Sequence, residues 1–288
     1  MKKIVCNGVR INCQMTGEGS DVVLLHGLAA NHAFWRLNVL MTLARQHRVT
    51  VFDLRGHGYS DMPEHGYTTA DLAGDLRELL THLGIEKAHL VGHSLGGAVA
   101  LHAAVLYPEK VMSLTVADSR VRALQPTNYA KAWCNWESAG KKLKELGLDI
   151  PEDEAESGLW ILERLAAPEW QAMQHALKGT PLFGPFGGLK GGRKAAERWL
   201  QLMRSTSARQ EIVAVAGLTA ERIAEIRQPA LLMYGECSPT MPSLEGLRRC
   251  LPHSAVEVIP EAGHFYPLSM PERFVSTLSR FLEAGQTQ

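Results

Sequence analysis

Short apolar runs and amphipathic stretches alternate along the first 118 residues. Val22 to Leu25 is an unbroken apolar run, and Val49 to Phe52 and Ala88 to Val91 are nearly so. Runs of this length without polar alternation predict strands buried on both faces, as in a parallel sheet. Val9 to Gln14 and Val111 to Ala117 also read as strands. Between them, Phe34 to Arg45, Thr69 to Leu83 and Leu95 to Leu106 have helical spacing. Asp71 and Asp75 lie early in the second of these and His82 lies late, which suits the helix dipole. The rhythm returns near the C-terminus, with strands at Ala230–Tyr234 and Ala255–Ile259 and helices at Ser243–Cys250 and Pro271–Leu282. Proline opens the last helix, where its missing N–H costs nothing. Alternating strands and helices predict an α/β fold with a mostly parallel, twisted sheet covered on both faces.

The middle of the chain breaks this rhythm. From Ser119 to Arg227 no buried strand is evident, and helical segments such as Ala155–Leu165, Glu169–Leu177 and Arg193–Met203 dominate. This span holds five of the six tryptophans, at positions 133, 136, 160, 170 and 199, and a glycine-rich stretch over 184–192 that suits either a hinge or a connector. The simplest division is a core of 1–118 with 228–288, and a helical insertion over 119–227.

Composition narrows the class. Thirty basic and thirty acidic residues give a formal net charge of zero, and no long basic run occurs, so a nucleic-acid partner is not expected. No stretch of 18 apolar residues is present, so no membrane span is expected. Lys2 and Lys3 resemble the start of a signal peptide, but Asn7 and Gly8 interrupt after only three apolar residues. The five cysteines, an odd number without metal-site spacing, read as reduced thiols. A cytoplasmic enzyme with a small-molecule substrate and no cofactor or metal is the resulting expectation.

The candidate chemistry lies at Gly92-His93-Ser94-Leu95-Gly96, a G-x-S-x-G pattern between a predicted strand and a predicted helix. That context exposes a serine hydroxyl on a sharp turn, with the helix N-terminus favouring negative charge beside it. The two glycines allow the tight approach. Serine is a weak nucleophile and needs an adjacent base. His264, in the loop Glu261-Ala-Gly-His264 between the last strand and helix, is the leading candidate among twelve histidines; His57 and His93 follow.

These stretches, with Leu24-Leu25-His26-Gly27-Leu28 and Asp53-Leu-Arg-Gly-His-Gly-Tyr-Ser60, resemble the α/β-hydrolase superfamily in order and spacing across nearly the whole chain. The resemblance implies an α/β-hydrolase fold with the helical insertion as its cap. It implies Ser94 as nucleophile, His264 as base, and the backbone N–H groups of Leu28 and Leu95 as oxyanion donors. It also implies a triad acid three residues after the glycine that ends the next-to-last strand, but that position is Ser238. Three alternatives remain open: Asp118, at the end of the strand 111–117 and the favoured one; Glu236; or no acid. Haloalkane dehalogenases and epoxide hydrolases of similar fold need aspartate where this chain has Ser94. The expected activity is hydrolysis of a carboxylic ester, thioester or lactone of a small to medium apolar substrate. Hydrolysis of a C–C bond by the same residues and non-catalytic ligand binding are the alternatives. Trp35, Trp133 and Trp136 are candidate walls of the substrate pocket.

Overall fold

A computed structural model describes residues 1–35, 39–126, 141, 144, 145 and 192–284. The sheet has eight strands: β1 (Lys2–Cys6), β2 (Val9–Thr16), β3 (Ser20–Leu25), β4 (His47–Phe52), β5 (Ala88–His93), β6 (Val111–Ala117), β7 (Ala230–Gly235) and β8 (Ala255–Ile259). Their order is β1-β2-β4-β3-β5-β6-β7-β8. The pairs β1/β2 and β2/β4 are antiparallel, and every other pair is parallel. All seven strands expected from the apolar runs are present.

The strand β1 is an addition. Lys2, Lys3 and the apolar residues after them, which resemble an interrupted signal-peptide start, form an edge hairpin with β2. The turn is Asn7-Gly8, with φ of 48° and 79°, and such a pair favours the left-handed conformations of a two-residue hairpin. That dipeptide was the available signal.

Two apolar layers sandwich the sheet, and alternate residues of each central strand feed opposite layers. In β3, Val23 and Leu25 join one layer while Val22 and Leu24 join the other; in β7, Leu232 and Tyr234 oppose Leu231 and Met233. The first layer is completed by helices α2 (Thr69–His82) and α3 (Leu95–Leu106). Thr68 caps α2 through a reciprocal capping box with Asp71. The second layer is completed by α1 (Val39–Leu43) and the C-terminal helix Pro271–Ala284. The helix expected over Phe34–Arg45 is divided: a 3₁₀ turn covers His32–Trp35 and α1 starts at Val39.

Of the expected insertion, residues 119–126, 141, 144, 145 and 192–227 are described, the last span containing helices Gly192–Ser205, Ala208–Glu211 and Ala220–Ile223. Trp133, Trp136, Trp160, Trp170 and positions 184–191 lie outside the described residues.

The topology fixes where chemistry is possible. The chain runs from β3 to β4 on one side and returns to β5 on the other. The crevice beyond the carboxyl ends of β3 and β5 is therefore the switch point where ligands bind in open α/β sheets. Leu28, Ser94 and Asp118 follow the ends of β3, β5 and β6, and His264 follows β8.

Candidate active site

Ser94 stands between β5 and α3 with φ 55° and ψ −121°, a strained conformation for a residue with a side chain. The surrounding backbone leaves no slack. A Cβ on Gly92 would run into the carbonyl of Gly96, and one on Gly96 into the carbonyl of Leu25. The Ser94 N–H donates to Ala117 O at 3.0 Å, and Ser119 Oγ donates to Ser94 O at 2.7 Å. The turn is thus held from the β6 side as well as by the glycines.

The His264 ring bridges two groups that are 170 and 146 residues away in the chain: Nε2 lies 3.1 Å from Ser94 Oγ, and Nδ1 lies 2.7 Å from Asp118 Oδ1. Asp118 is fully buried. Its Oδ2 accepts the Gly235 N–H at 2.8 Å. Its Oδ1 accepts, besides the His264 ring, Thr240 Oγ1 at 2.6 Å and the hydroxyl of Ser238. Burial alone would raise the Asp118 pKa. The hydrogen bond and charge of His264, with the Gly235 N–H and Ser238 hydroxyl, outweigh burial and lower it. Ser238, where the resemblance implies an acid, therefore donates to the carboxylate that reaches the histidine. Glu236 is exposed, and its Oε2 accepts the Glu261 N–H at 2.9 Å, bracing the loop that carries His264 and not its ring.

The other histidines near the site are buried supports. His93 lies beside His264, with ring centroids 4.8 Å apart. Its Nε2 donates to the His264 carbonyl at 2.8 Å, which anchors the backbone of His264. Burial, reinforced by the neighbouring His264, pushes His93 down to about 3. His26 donates from Nδ1 to Gly27 O and accepts the Leu54 N–H at Nε2. His57 donates to Arg55 O at 2.9 Å, and burial pushes it down to about 3.

One buried pair escaped the sequence reading. Asp53 Oδ1 accepts both the N–H and the ring Nδ1–H of His32, while Oδ2 accepts from Asn12 Nδ2 and the Tyr59 N–H. Burial acts to raise this carboxyl, but the His32 hydrogen bond and its companions hold it at about 2. The loop carrying Leu28 is tied to the sheet through His32.

Ser94, His264, Leu28 and Leu95 all line one cavity of about 240 Å³, together with Thr240 and apolar residues from 212–218. Leu95 opens α3, so its N–H has no carbonyl partner within that helix. Trp35, expected to wall the pocket, is elsewhere. It is 1% exposed in the core, stacked on Phe274 at 5.7 Å, because the 3₁₀ turn directs its indole onto the layer beneath the C-terminal helix. Trp133 and Trp136 lie outside the described residues. Arg120 and Arg122 also line the cavity, and the sequence reading had not singled them out. Among the described residues, no group of three or more His, Cys, Asp or Glu is placed to hold a metal ion, and no helix is long and apolar enough to cross a membrane.

Comparison with known proteins agrees with this architecture. The chain is 26% identical to 3-oxoadipate enol-lactonase 1 of Acinetobacter baylyi, the alignment covering 97% of this chain and 95% of the relative. It is 28% identical to a putative 2-succinyl-6-hydroxy-2,4-cyclohexadiene-1-carboxylate synthase of Bacillus subtilis, over 96% of each. Among solved structures, a thermophilic esterase from Thermogutta terrifontis superposes with a TM-score of 0.62 at 26% identity over 98% of each chain. The family model described as alpha/beta hydrolase fold matches residues 22–269, so this chain belongs to the α/β-hydrolase-fold family.

Proposed function

We propose that the protein hydrolyses a carboxylic ester, thioester or lactone through an acyl–Ser94 intermediate. The observation that carries this reading is the hydrogen-bonded line from Ser94 Oγ through the His264 ring to Asp118 Oδ1. Asp118 fixes the tautomer in which Nδ1 carries the proton and Nε2 is free to accept one. His264 Nε2 takes the Ser94 proton as Oγ attacks the carbonyl carbon. The developing oxyanion lies between the N–H groups of Leu28 and Leu95, each worth roughly 2.7–4 kcal/mol to the transition state. Collapse breaks the C–O or C–S bond, and His264 returns the proton to the leaving oxygen or sulfur; in a lactone that group stays tethered to the acyl chain. Water, deprotonated by the same nitrogen, then releases the acid and restores Ser94. The lactonase and the esterase among the similar proteins support a reaction of this class.

A parallel assay tests the reading. Simple p-nitrophenyl esters, an acyl thioester and a lactone are offered to the wild type and to Ser94→Ala. Turnover of at least one by the wild type, and of none by the variant, is expected. Cleavage of a ring-fission dione with no ester, thioester or lactone turnover would replace this reading with C–C bond hydrolysis.

A further inference from the structure

The cavity at Ser94 takes four of its apolar lining residues, Ile212, Ala214, Val215 and Leu218, from one short segment of the chain. This wall has little support of its own. It belongs to no strand, and Val213, Ala214 and Val215 in its middle are exposed, so core packing does not hold them. Its backbone hydrogen bonds are local: the Ala214 N–H donates to Glu211 O at 3.1 Å and the Leu218 N–H to Val215 O at 2.9 Å. Where the wall stands is therefore decided at its two ends. We propose that Glu211 is a positioning residue for substrate selectivity, its carboxylate setting how far the wall 212–218 stands from Ser94 and so how long an aliphatic chain the cavity accepts. This rests on hydrolysis at Ser94 and deepens that reading, naming an ester with a linear aliphatic chain as the substrate class.

At the far end of the wall, Leu218 is buried in the first apolar layer, and Gly217 O accepts Arg222 Nη1 at 3.2 Å. At the near end stands Glu211, which closes the short helix Ala208–Glu211 one residue before the wall. Its Oε2 accepts the Gly66 N–H at 2.8 Å and the Tyr67 N–H at 2.6 Å, groups 145 and 144 residues away in the chain. The loop that receives it is itself fixed. Buried Arg55 donates to His65 O at 3.2 Å and pairs with Asp75 of α2 through bonds of 2.7 and 2.6 Å. Thr69, the first residue of α2, lines the same cavity. Glu211 therefore ties the wall to a loop and helix that are already part of the cavity's frame.

A carboxylate suits this role because hydrogen bonds to a charged acceptor are about twice as strong as those to a neutral one. Burial acts to raise the Glu211 carboxyl, but the Tyr67 N–H, with Ser207 and the Gly66 N–H, outweighs burial and lowers it, so the charge is present at neutral pH. The position of the wall matters because dispersion falls steeply with distance: a gap of about 0.5–1 Å forfeits about a quarter to a half of each contact. A displaced wall would lose contact with every carbon of an aliphatic chain that lies along it, so the effect grows with chain length.

Two ester series test the proposal: p-nitrophenyl acetate, butanoate, hexanoate and octanoate, which vary the acyl side, and ethyl, butyl and hexyl acetate, which vary the alcohol side. In at least one series the wild-type kcat/KM is expected to rise by about fourfold per methylene up to a limiting length. In Glu211→Ala that dependence on length should fall by half or more on a logarithmic scale, through KM and not kcat. Glu211→Gln, whose amide oxygen can accept the same two N–H groups, should keep most of it. Glu211→Asp keeps the charge on a side chain one methylene shorter and should shift the limiting length, a readout that stands even if Glu211→Ala fails to fold. A role in stability alone would lower the unfolding temperature without changing the length dependence. A flat wild-type profile in both series, or a length dependence unchanged in the folded Glu211 variants, overturns the proposal while leaving the hydrolase reading intact. Cleavage of a thioester or lactone but of no ester overturns it alone, and no turnover of any of the three removes both.

Discussion

Replacing Asp118 with asparagine isolates the role of one buried charge, because the geometry dictates how the amide must sit. One carboxylate oxygen faces the Gly235 N–H, a backbone donor that cannot turn away. The other faces two hydroxyls, which rotate freely, and the His264 ring. The asparagine NH₂ therefore takes the Oδ1 position and donates towards Nδ1 of His264. That selects the tautomer with the proton on Nε2, which points a donor at Ser94 Oγ and leaves no base. The productive arrangement requires the NH₂ to oppose the Gly235 N–H. Two buried donors are then unsatisfied at about 1–3 kcal/mol each, or roughly 2–6 kcal/mol together. At about 1.36 kcal/mol per decade this is a loss of roughly 10^1.5 to 10^4.5. Loss of the negative charge beside the imidazolium adds to it, so a fall in kcat of about 10³–10⁴ is expected. Steady-state hydrolysis of the best ester, with thermal unfolding as a control, measures it. A correctly folded Asp118→Asn enzyme within tenfold of wild type would refute this reasoning. Glu236→Gln, which keeps an acceptor for the Glu261 N–H, should stay within about threefold under the same assay. A severe loss there and a mild one at Asp118 would reassign the acid.

Further outcomes follow from the same geometry. Ser238→Ala removes one hydroxyl from a buried carboxylate, an interaction worth about 1.5–3 kcal/mol. It should lower kcat by about tenfold with KM little changed, and Ser238→Thr should recover most of the loss; a KM effect without a kcat effect would contradict a role through Asp118. Burial lowers the titration of His26 and His47, of His57 and His93 to about 3, and of His89 and His102 to about 4. The folded chain thus binds fewer protons than the unfolded chain, whose histidines titrate near about 6.5. Stability is full above that pH and is lost as pH falls towards 3–4. Denaturant midpoints measured from pH 8 down to pH 4 should drop steeply below about 6.5, and a flat profile would refute the assignment.

The sheet was legible because its central strands are buried on both faces, and such strands leave continuous apolar runs such as Val22–Leu25. The edge strand β1 has no such signature, since Lys2, Lys3 and Val5 are exposed, and only Asn7-Gly8 announced it. The turn that presents Ser94 was legible because so tight a turn needs particular residues in sequence, whereas His264 was singled out by its loop and by the family resemblance. The contact of Asp118 with the His264 ring was foreshadowed only indirectly, through the serine at position 238. Trp35 was misplaced because nearness in sequence to the loop of Leu28 does not determine which layer a side chain enters. The His32–Asp53 pair and the two cavity arginines carry no periodic signal, since they sit on loops whose direction is set by contacts 21 to 122 residues away in the chain.

The most direct test of the central claim, that His264 activates Ser94 for covalent attack, is fluorophosphonate labelling followed by intact mass and peptide mapping. One adduct on Ser94 is expected, absent in Ser94→Ala and formed at least about 10³-fold more slowly in His264→Ala. Labelling at another residue, or labelling of Ser94 at an undiminished rate without His264, would contradict it.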